Sequence, residues 1–415
     1  MIDFEHFHTL LPQSVGSKSG AIAPTITPSA AFAYEDAEQA EGIFNGNVTK
    51  PLYARMGNPT NTHLESILSK IEDAEGAIVT SSGMGAISMV LTAYLKSEDE
   101  VLCVGGFFGG TYALMTETMP RFGISADFCD VDDFKNIEQK LQNGVSMVLV
   151  ESIGNPNLKL PDIEKIATLC NRYNTLLLVD NTATPLLLQP LKMGADILIY
   201  STTKNISGHS ASLGGVALFR SVKEKDKLKT DRYKHLHKII DKMGKKAMIA
   251  ISKKMALRDF GMTANAFGSF TTMLGLETLS LRIERVSKSS EIIAYALDKK
   301  LENISVRHPS LSTHEHHARY KEIFPSGSGS LITLDAGTKE NAFKFLNHTK
   351  LITQTANIGD NRTLALHMKS TIYSDFKDDD LKVLGITDGL IRVSIGLENP
   401  QDLIDDFIQA SKFVN

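Results

Sequence analysis

The sequence predicts an α/β fold, in which a large domain with a mostly parallel sheet is followed by a smaller α+β C-terminal domain. The first observation is that short aliphatic runs alternate with helical patterns over residues 51–260. The second is that these runs are apolar throughout, as strands buried on both faces of a parallel sheet are. The third is the length of 415 residues, which is sufficient for two hydrophobic cores.

Three consecutive parts are expected along the chain. Residues 1–50 show no sustained periodicity and contain Pro24 and Pro28, so they should form an extended N-terminal arm. For the large domain, residues 51–260, we predict strands at 77–80, 100–104, 146–151, 175–180, 196–201 and 215–219. For the small domain, residues 261–415, we predict a long amphipathic helix near 276–297 and strands near 329–334 and 390–395.

The composition excludes several classes of protein. Lys and Arg number 44 against 48 Asp and Glu, so the net charge of −4 attracts neither nucleic acid nor a membrane surface. The three cysteines show no CxxC spacing, which favours a reducing compartment over a disulfide framework. The first residues lack the pattern of a signal peptide, and no apolar run has the length of a membrane span. We therefore expect a cytoplasmic protein.

A basic segment and a histidine run each allow more than one interpretation. Residues 223–254 hold twelve Lys and Arg against four acids. We interpret them as a solvated helical face rather than a nucleic-acid surface, and as the best candidate for docking an acidic carrier protein.

The run His314–His317 resembles a metal site, but adjacent helical residues point to different faces. We interpret it as exposed polar helix or loop, and we predict no metal site.

Two predicted strands end in residues with reactive side chains. The run from Leu177 ends at Asp180, and the run from Ile197 leads to Lys204. Ligands of open α/β sheets bind outside the carboxyl ends of the strands, so both side chains should reach one crevice. Pyridoxal phosphate needs such a pair: a lysine forms a Schiff base with its aldehyde, and an aspartate keeps its ring nitrogen protonated. A structural ion pair at the sheet edge is the alternative.

Further segments suit the phosphate group of such a cofactor. Ser81–Ala86 forms a turn of small residues before a helical pattern, and a helix N-terminus attracts phosphate. Ser201 and Thr203 flank the lysine and carry hydroxyl groups. Tyr53 and Arg55 add a phenol and a guanidinium, which matches phosphate oxygens well. Together these segments predict a phosphate site.

These motifs resemble the Cys/Met-metabolism family of pyridoxal-phosphate (PLP) enzymes, the cystathionine γ-synthase-like branch of the aspartate aminotransferase fold. The resemblance extends over nearly the whole chain and includes Tyr53–Thr60, Ser81–Ala86, Phe108–Tyr112, Glu151–Pro156, Val179–Thr182, Ser201–Gly208 and Leu390–Glu398. It implies fold type I of the PLP-dependent transferases. It also implies a homo-oligomer, namely a tetramer of two dimers that share active sites.

The resemblance implies roles for individual residues. Lys204 matches the lysine that binds PLP and moves protons, and Asp180 matches the partner of the ring nitrogen. Residues implied at the cofactor from within the subunit are Gly83, Met84, Phe108, Asn155, Thr182, Ser201 and Thr203. Tyr53 and Arg55 match a pair that reaches the phosphate from the adjacent subunit. Arg392 and Asn357 are implied at the substrate, Arg392 as the clamp on its α-carboxylate.

The resemblance also implies a reaction. Leu257–Gly261, Ala356–Asp360 and the extra length after Arg220 resemble O-acetylhomoserine sulfhydrylases, which join O-acetyl-L-homoserine and a sulfur nucleophile to give homocysteine for methionine biosynthesis. A methionine or cystathionine γ-lyase and a cystathionine γ-synthase are the alternatives, and a catalytically idle binding partner is a further one. Phe108 replaces the family's usual tyrosine, so the role of the tyrosine hydroxyl is either absent here or taken over by another group, which we do not expect to be Tyr112. The divergent insertion suggests a small sulfur-carrier protein as the sulfur donor.

Overall fold

A computed structural model of the protein describes residues 4–16 and 20–414. It contains a seven-stranded sheet, followed along the chain by a five-stranded sheet. The predicted α/β architecture, with a large domain and a smaller α+β domain after it, is confirmed.

The seven-stranded sheet is mostly parallel. Its strands are β1 (Gly76–Thr80), β2 (Glu100–Val104), β3 (Ser125–Cys129), β4 (Met147–Glu151), β5 (Leu176–Asp180), β6 (Ile197–Tyr200) and β7 (Gly215–Phe219). Their order is β1-β7-β6-β5-β4-β2-β3, and only β7 runs antiparallel to its neighbours. The prediction missed β3, because this edge strand is only half-buried and its sequence mixes polar and apolar residues.

The five-stranded sheet forms the small domain. Its strands are β8 (Ser305–Arg307), β9 (Leu331–Asp335), β10 (Thr353–Gln354), β11 (Leu364–His367) and β12 (Leu390–Ser394). Their order is β10-β11-β12-β9-β8, and all pairs except β10–β11 are antiparallel. The prediction identified β9 and β12 but missed the other three, which are too short to show a hydrophobic period.

Helices cover both sheets. They are α1 (Phe4–Val15), α2 (Ala37–Asn45), α3 (Pro59–Glu72), α4 (Gly83–Tyr94), α5 (Gly109–Ala113), α6 (Phe134–Gln142), α7 (Ile163–Arg172), α8 (His237–Met243), α9 (Ala247–Ser252), α10 (Arg258–Phe260), α11 (Ala266–Leu276), α12 (Leu279–Lys300), α13 (His317–Ile323), α14 (Lys339–His348), α15 (Asp378–Leu384) and α16 (Pro400–Ser411). Within residues 4–16 and 20–414, none of them is both long and apolar enough to cross a membrane.

Helix α12 connects the two domains. Its first half contributes Ile283 to the core of the large domain, and its second half contributes Ile293 and Leu297 to the core of the small domain. The predicted amphipathic helix near 276–297 is confirmed, since α12 spans Leu279–Lys300.

The N-terminal region differs from its prediction. Residues 1–50 were expected to be extended, but α1 and α2 lie within them, and this prediction is wrong for both stretches. Helix α1 places Phe7, Leu11 and Val15 in the core of the large domain. These three residues are spaced four apart, so they form one apolar face, but the pattern covers only three turns.

The histidine run also differs from its prediction. His314 and His316 are buried rather than exposed. The backbone N–H of Leu160 donates to His316 Nδ1 at 2.9 Å, and Asp132 lies 2.7 Å from His316 Nε2. The prediction failed because the large domain covers this loop of the small domain. A contact between residues so far apart in the chain cannot be predicted from a local sequence pattern.

The basic segment forms short helices on the surface of the large domain. Its exposed lysines are Lys223, Lys225, Lys229, Lys234, Lys238, Lys242, Lys245, Lys246 and Lys254. Two lysines are exceptions, because Lys253 is half-buried and Lys227 is buried against the amino ends of the strands. The predicted solvated face is confirmed for the exposed lysines.

Candidate active site

A cavity of about 200 Å³ lies at the carboxyl ends of β4, β5 and β6. The chain reverses there into the loops that carry the predicted residues, as expected for an open α/β sheet. The cavity brings together all of the following predicted residues: Gly83, Met84, Phe108, Asn155, Asp180, Thr182, Ser201, Thr203, Lys204 and Arg392.

Lys204 follows β6 and is largely buried in the cavity wall. Its Nζ donates a hydrogen bond to Asn357 Oδ1 at 2.5 Å. Burial lowers the pKa of Lys204 to about 8, and the positive charge of Arg392 acts in the same direction. An amine with this pKa is partly neutral near neutral pH, as a nucleophile must be.

Asp180 is the last residue of β5 and faces the same cavity. Its Oδ1 accepts the backbone N–H of Thr182 at 3.0 Å. Burial raises the pKa of Asp180, although the hydrogen bonds from Thr182 oppose this shift. In the part of the chain that the structure describes, no cation forms an ion pair with Asp180. A half-buried carboxylate without a cation at the wall of a cavity fits a ligand that brings a positively charged N–H, such as a protonated pyridine ring.

The N-terminus of α4 forms one end of the cavity. Ser82 caps this helix, and its Oγ accepts the N–H of Gly85 at 3.0 Å. The preceding N–H groups of Gly83 and Met84 have no carbonyl one turn back to bind. A Cβ atom at Gly83 would lie 2.7 Å from the Cβ of Ser201, so only glycine allows this close approach. This end of the cavity fits a phosphate group.

The two residues that flank the lysine differ in what they can offer. Thr203 Oγ1 donates to the Gly214 carbonyl at 3.1 Å and accepts the Gly214 N–H at 3.0 Å. Its hydroxyl is therefore already bonded, and Thr203 shapes the loop around the cavity. Ser201 lines the cavity, and its backbone N–H donates to Thr182 Oγ1 at 2.8 Å.

Arg392 lies on β12 and enters the cavity from the small domain. Its guanidinium donates to Asn155 Oδ1 at 3.2 Å and to the Asn357 carbonyl at 3.3 Å. Burial lowers its pKa to about 10. Within residues 4–16 and 20–414 no carboxylate forms an ion pair with it, so a substrate carboxylate fits as its partner.

Two further residues support the cavity and were not predicted. Glu151 Oε1 accepts the N–H of Phe108 at 2.8 Å, and Oε2 accepts the N–H of Asn155 at 3.1 Å. The Tyr373 hydroxyl donates to the Phe107 carbonyl at 3.1 Å. Burial, together with the neighbouring charge of Asp180, raises the pKa of Glu151.

A sequence signal for Glu151 was present. It ends β4 directly beside Asp180, as a polar residue after four apolar ones. Tyr373 left no such signal, because its hydroxyl binds a carbonyl that lies 266 residues away in the chain.

Four residues named in the sequence analysis do not line this cavity: Tyr53, Arg55, Tyr112 and Asn357, although Asn357 contacts Lys204. Tyr53 and Arg55 are exposed, and the Arg55 guanidinium donates to the carbonyl of Arg258. The Tyr112 hydroxyl lies 2.6 Å from Asp380 Oδ1, so it does not replace the hydroxyl that Phe108 lacks.

The protein matches the family model described as Cys/Met metabolism PLP-dependent enzyme over residues 9–412. The chain belongs to this family. As a PLP-dependent enzyme it uses pyridoxal phosphate as its cofactor, and the predictions of family and cofactor are confirmed.

Known relatives of this PLP-dependent enzyme cover almost its whole length. A homocysteine synthase of Schizosaccharomyces pombe is 33% identical, with 99% of each chain covered. An L-methionine γ-lyase of Fusobacterium nucleatum subsp. polymorphum is 34% identical, with 94% of this chain and 93% of the relative covered.

A solved structure shows the same fold. A putative O-acetylhomoserine (thiol)-lyase of Campylobacter jejuni, which carries a pyridoxyl-lysine phosphate, superposes with a TM-score of 0.92. It is 32% identical, with 98% of this chain and 99% of that chain covered. The predicted fold type I is confirmed.

Proposed function

We propose that the enzyme replaces the γ-substituent of an activated homoserine ester, O-acetyl-L-homoserine, with a sulfur nucleophile and so makes homocysteine for methionine biosynthesis. The observation that carries this proposal is a single cavity that combines a largely buried lysine with a carboxylate and an arginine that form no ion pair with any described residue. The homocysteine synthase and O-acetylhomoserine (thiol)-lyase relatives support the choice of substrate.

Each side chain has a defined task in this proposal. When bound, PLP supplies an electron-accepting ring conjugated with the amino-acid substrate. Lys204 binds the cofactor and moves protons at the substrate carbons, for which a pKa near 8 is suitable. Asp180 holds the proton on the ring nitrogen, and Arg392 orients the substrate through its carboxylate. The N-terminus of α4 at Gly83 and Met84 binds the phosphate.

The remaining predicted residues complete the cofactor site. Phe108 provides a flat ring for stacking without a hydroxyl group. Asn155 is assigned to the cofactor's phenolic oxygen, and Arg392 already orients its side chain. Thr182 links Asp180 to Ser201 through two hydrogen bonds of 3.0 and 2.8 Å, so it holds the ring end and the phosphate end of the site in register.

The proposal includes a homo-oligomer with shared active sites, which we expect to be a tetramer. Tyr53 and Arg55 are exposed and lie outside the cavity of their own chain. In an oligomer they would reach the phosphate of the neighbouring subunit, and the N-terminal 50 residues would contact that subunit. Mixing an Arg55→Ala variant with a Lys204→Ala variant tests this, since shared sites would regain activity in mixed dimers.

We also propose that a small sulfur-carrier protein donates the sulfur. The exposed lysines of the segment 223–254 would bind an acidic partner. The segment is anchored at the amino ends of β4 and β5, where the Tyr233 hydroxyl donates to the Ser146 carbonyl. The cavity lies about 17 Å away at the other end of five-residue strands, so the carrier would need an extended tail to reach it.

The compartment we propose is the cytoplasm. Cys103, Cys129 and Cys170 are all free, which fits a reducing compartment.

The γ-lyase reaction is the second candidate, supported by the methionine γ-lyase relative at 34% identity. The cystathionine γ-synthase reaction is the third. All three reactions use the same site and remove the γ-substituent, but they form different products afterwards, so product analysis separates them.

The experiment is to incubate the PLP-loaded enzyme with O-acetyl-L-homoserine, with and without sulfide. Homocysteine that forms only with sulfide supports the proposal. Dominant 2-oxobutyrate in both samples, or consumption of methionine, supports the lyase. If the enzyme prefers cysteine to sulfide and forms cystathionine, the result supports the synthase. Absence of turnover with all substrates supports a catalytically idle binding protein.

A further inference from the structure

A chain of hydrogen bonds that starts outside the cavity controls the orientation of Asn357. The buried Asp360 carboxylate accepts two hydrogen bonds from the Arg362 guanidinium, at 2.7 and 3.0 Å. It also accepts the Ser210 hydroxyl at 2.5 Å. Burial opposes the charge on Asp360, but the bonds from Arg362 and Ser210 outweigh burial and lower its pKa. Because a charged carboxylate can only accept, the Ser210 proton must point to Asp360.

The direction of this bond determines the next ones. With its proton on Asp360, Ser210 offers only lone pairs to Asn357, whose Nδ2 lies 2.9 Å away. The amide of Asn357 must then place Oδ1 on its other side, where Lys204 Nζ lies 2.5 Å away. The two ends of an amide have almost the same shape, so hydrogen-bond partners rather than packing decide which end faces the lysine.

The backbone around this series of hydrogen bonds is held in place by close contacts. Ser210 has a φ of 52°, in the left-handed region that a residue other than glycine adopts only where its surroundings enforce it. The N–H of Asn361 donates to the Gly208 carbonyl at 3.0 Å. A Cβ atom at Gly359 would lie 2.5 Å from the nitrogen of Asn205, so the two segments are in close contact.

We propose that Ser210 and Asp360 are positioning residues that hold the Asn357 oxygen against the Lys204 amine. Asn357 then acts on this amine rather than on the substrate carboxylate, because a carboxylate needs N–H donors and the amide presents its acceptor. Arg392 remains as the donor to that carboxylate. This role replaces the substrate-binding role that the sequence predicts for Asn357, and it rests on Lys204 being the PLP lysine of the proposed function.

The test uses the PLP-loaded forms of Ser210→Ala and Asp360→Asn. Their visible absorption band is titrated with pH, because the band reports the proton on Lys204 Nζ. Without an oriented acceptor, the protonated form loses about tenfold in stability, so the midpoint should move about one pH unit lower. The kcat for homocysteine formation should fall about tenfold, while KM for the ester stays within twofold.

Asp335→Asn is the matched control. Asp335 also accepts a hydroxyl, from Thr387 at 2.7 Å, and a backbone N–H, from Gly337 at 2.8 Å, but it lies outside the cavity. Its substitution should leave the midpoint and kcat unchanged. If Ser210→Ala fails to fold, Ser210→Gly replaces it, since glycine lacks the hydroxyl and favours a positive φ.

The proposal is overturned if the midpoint stays in place while KM for the ester rises tenfold, because Asn357 would then act on the substrate. It is also overturned if Ser210→Ala and Ser210→Gly both fold and match the parent enzyme in midpoint and kcat. The band requires only bound PLP, so a wrong choice of ester or sulfur donor would abolish turnover without changing the midpoint.

Discussion

A carboxylate and a lysine lie at each end of β5 and β6, in opposite arrangements, with the carboxylate buried at the amino ends and half-buried at the carboxyl ends. At the amino ends, Asp196 accepts Lys227 at 2.8 Å and Arg220 at 2.5 Å, and its Oδ2 also accepts the N–H of Leu177 at 2.7 Å. At the carboxyl ends, Asp180 and Lys204 form no ion pair with each other in the described part of the chain. Each of them binds only neutral groups there.

This difference separates a structural site from a functional one. The cluster at the amino ends neutralises its charges internally, because Arg220 also pairs with Asp226, and it anchors the basic segment to the sheet. The cavity at the carboxyl ends leaves its charges unmatched, which lowers the pKa of Lys204 and raises that of Asp180 through burial. Such unmatched groups in a cavity indicate a ligand. The structural ion pair that the sequence allowed for Asp180 and Lys204 exists instead at Asp196 and Lys227.

The largest expected effect is on the cavity lysine. Lys204→Ala should lower kcat at least about 1,000-fold, because both cofactor attachment and proton transfer are lost. The melting temperature of the cofactor-free protein should not fall, since Lys204 forms no ion pair with any residue of 4–16 and 20–414. Steady-state kinetics and thermal unfolding check both expectations, and activity within tenfold of the parent would refute the assignment.

The matching change at the other end is Lys227→Met. Breaking a buried ion pair should lower the free energy of unfolding by about 3 kcal/mol, measured as a lower urea midpoint. The kcat of the folded, PLP-loaded variant should stay within twofold. Loss of activity at unchanged stability would mean that the two ends of the strands are not distinct in role.

Glu151→Gln tests whether the buried Glu151 carboxylate positions Phe108 and Asn155 at the cavity. The Phe108 and Asn155 N–H groups bind different oxygens of the Glu151 carboxylate, so replacing either oxygen by an NH2 group leaves one of the two N–H groups facing a donor instead of an acceptor. We expect kcat to fall about tenfold. Glu72→Gln is the control, because Glu72 is equally buried but accepts the Tyr200 hydroxyl at 2.5 Å outside the cavity. An equal loss in both variants would point to a general effect of buried glutamates.

The pH dependence of cofactor binding tests the charges around Lys204. If Lys204 is the PLP lysine, as proposed, only its neutral amine reacts with PLP, so the rate of PLP capture by cofactor-free enzyme should rise about tenfold per pH unit below pH 8 and level off above it. Arg392→Met removes a nearby positive charge, which raises the pKa of Lys204 and moves the plateau to higher pH. Stopped-flow absorbance measures the rates; an unchanged plateau in this variant would contradict the electrostatic coupling.

Prediction from the sequence succeeded where a local pattern defines the structure. The strands that end near Asp180 and Ser201 were identified within one residue, because their apolar runs end abruptly at the carboxyl edge. The short strands β8, β10 and β11 were missed, since two to four residues show no period. Helix α1 was missed although Phe7, Leu11 and Val15 share one face, because the pattern is brief.

The family, the cofactor and the lysine and aspartate of the cavity could be predicted from the sequence, because these residues follow short apolar strands and glycine-rich turns in a recognisable order. Which charges lack a partner in the described part of the chain, and the orienting contacts of Glu151, Ser210 and Asp360, become visible in the folded chain. They could not be predicted because a hydrogen bond depends on the distance and direction between two groups. Asp360 and Ser210 are 150 residues apart in the chain, and folding alone brings them together.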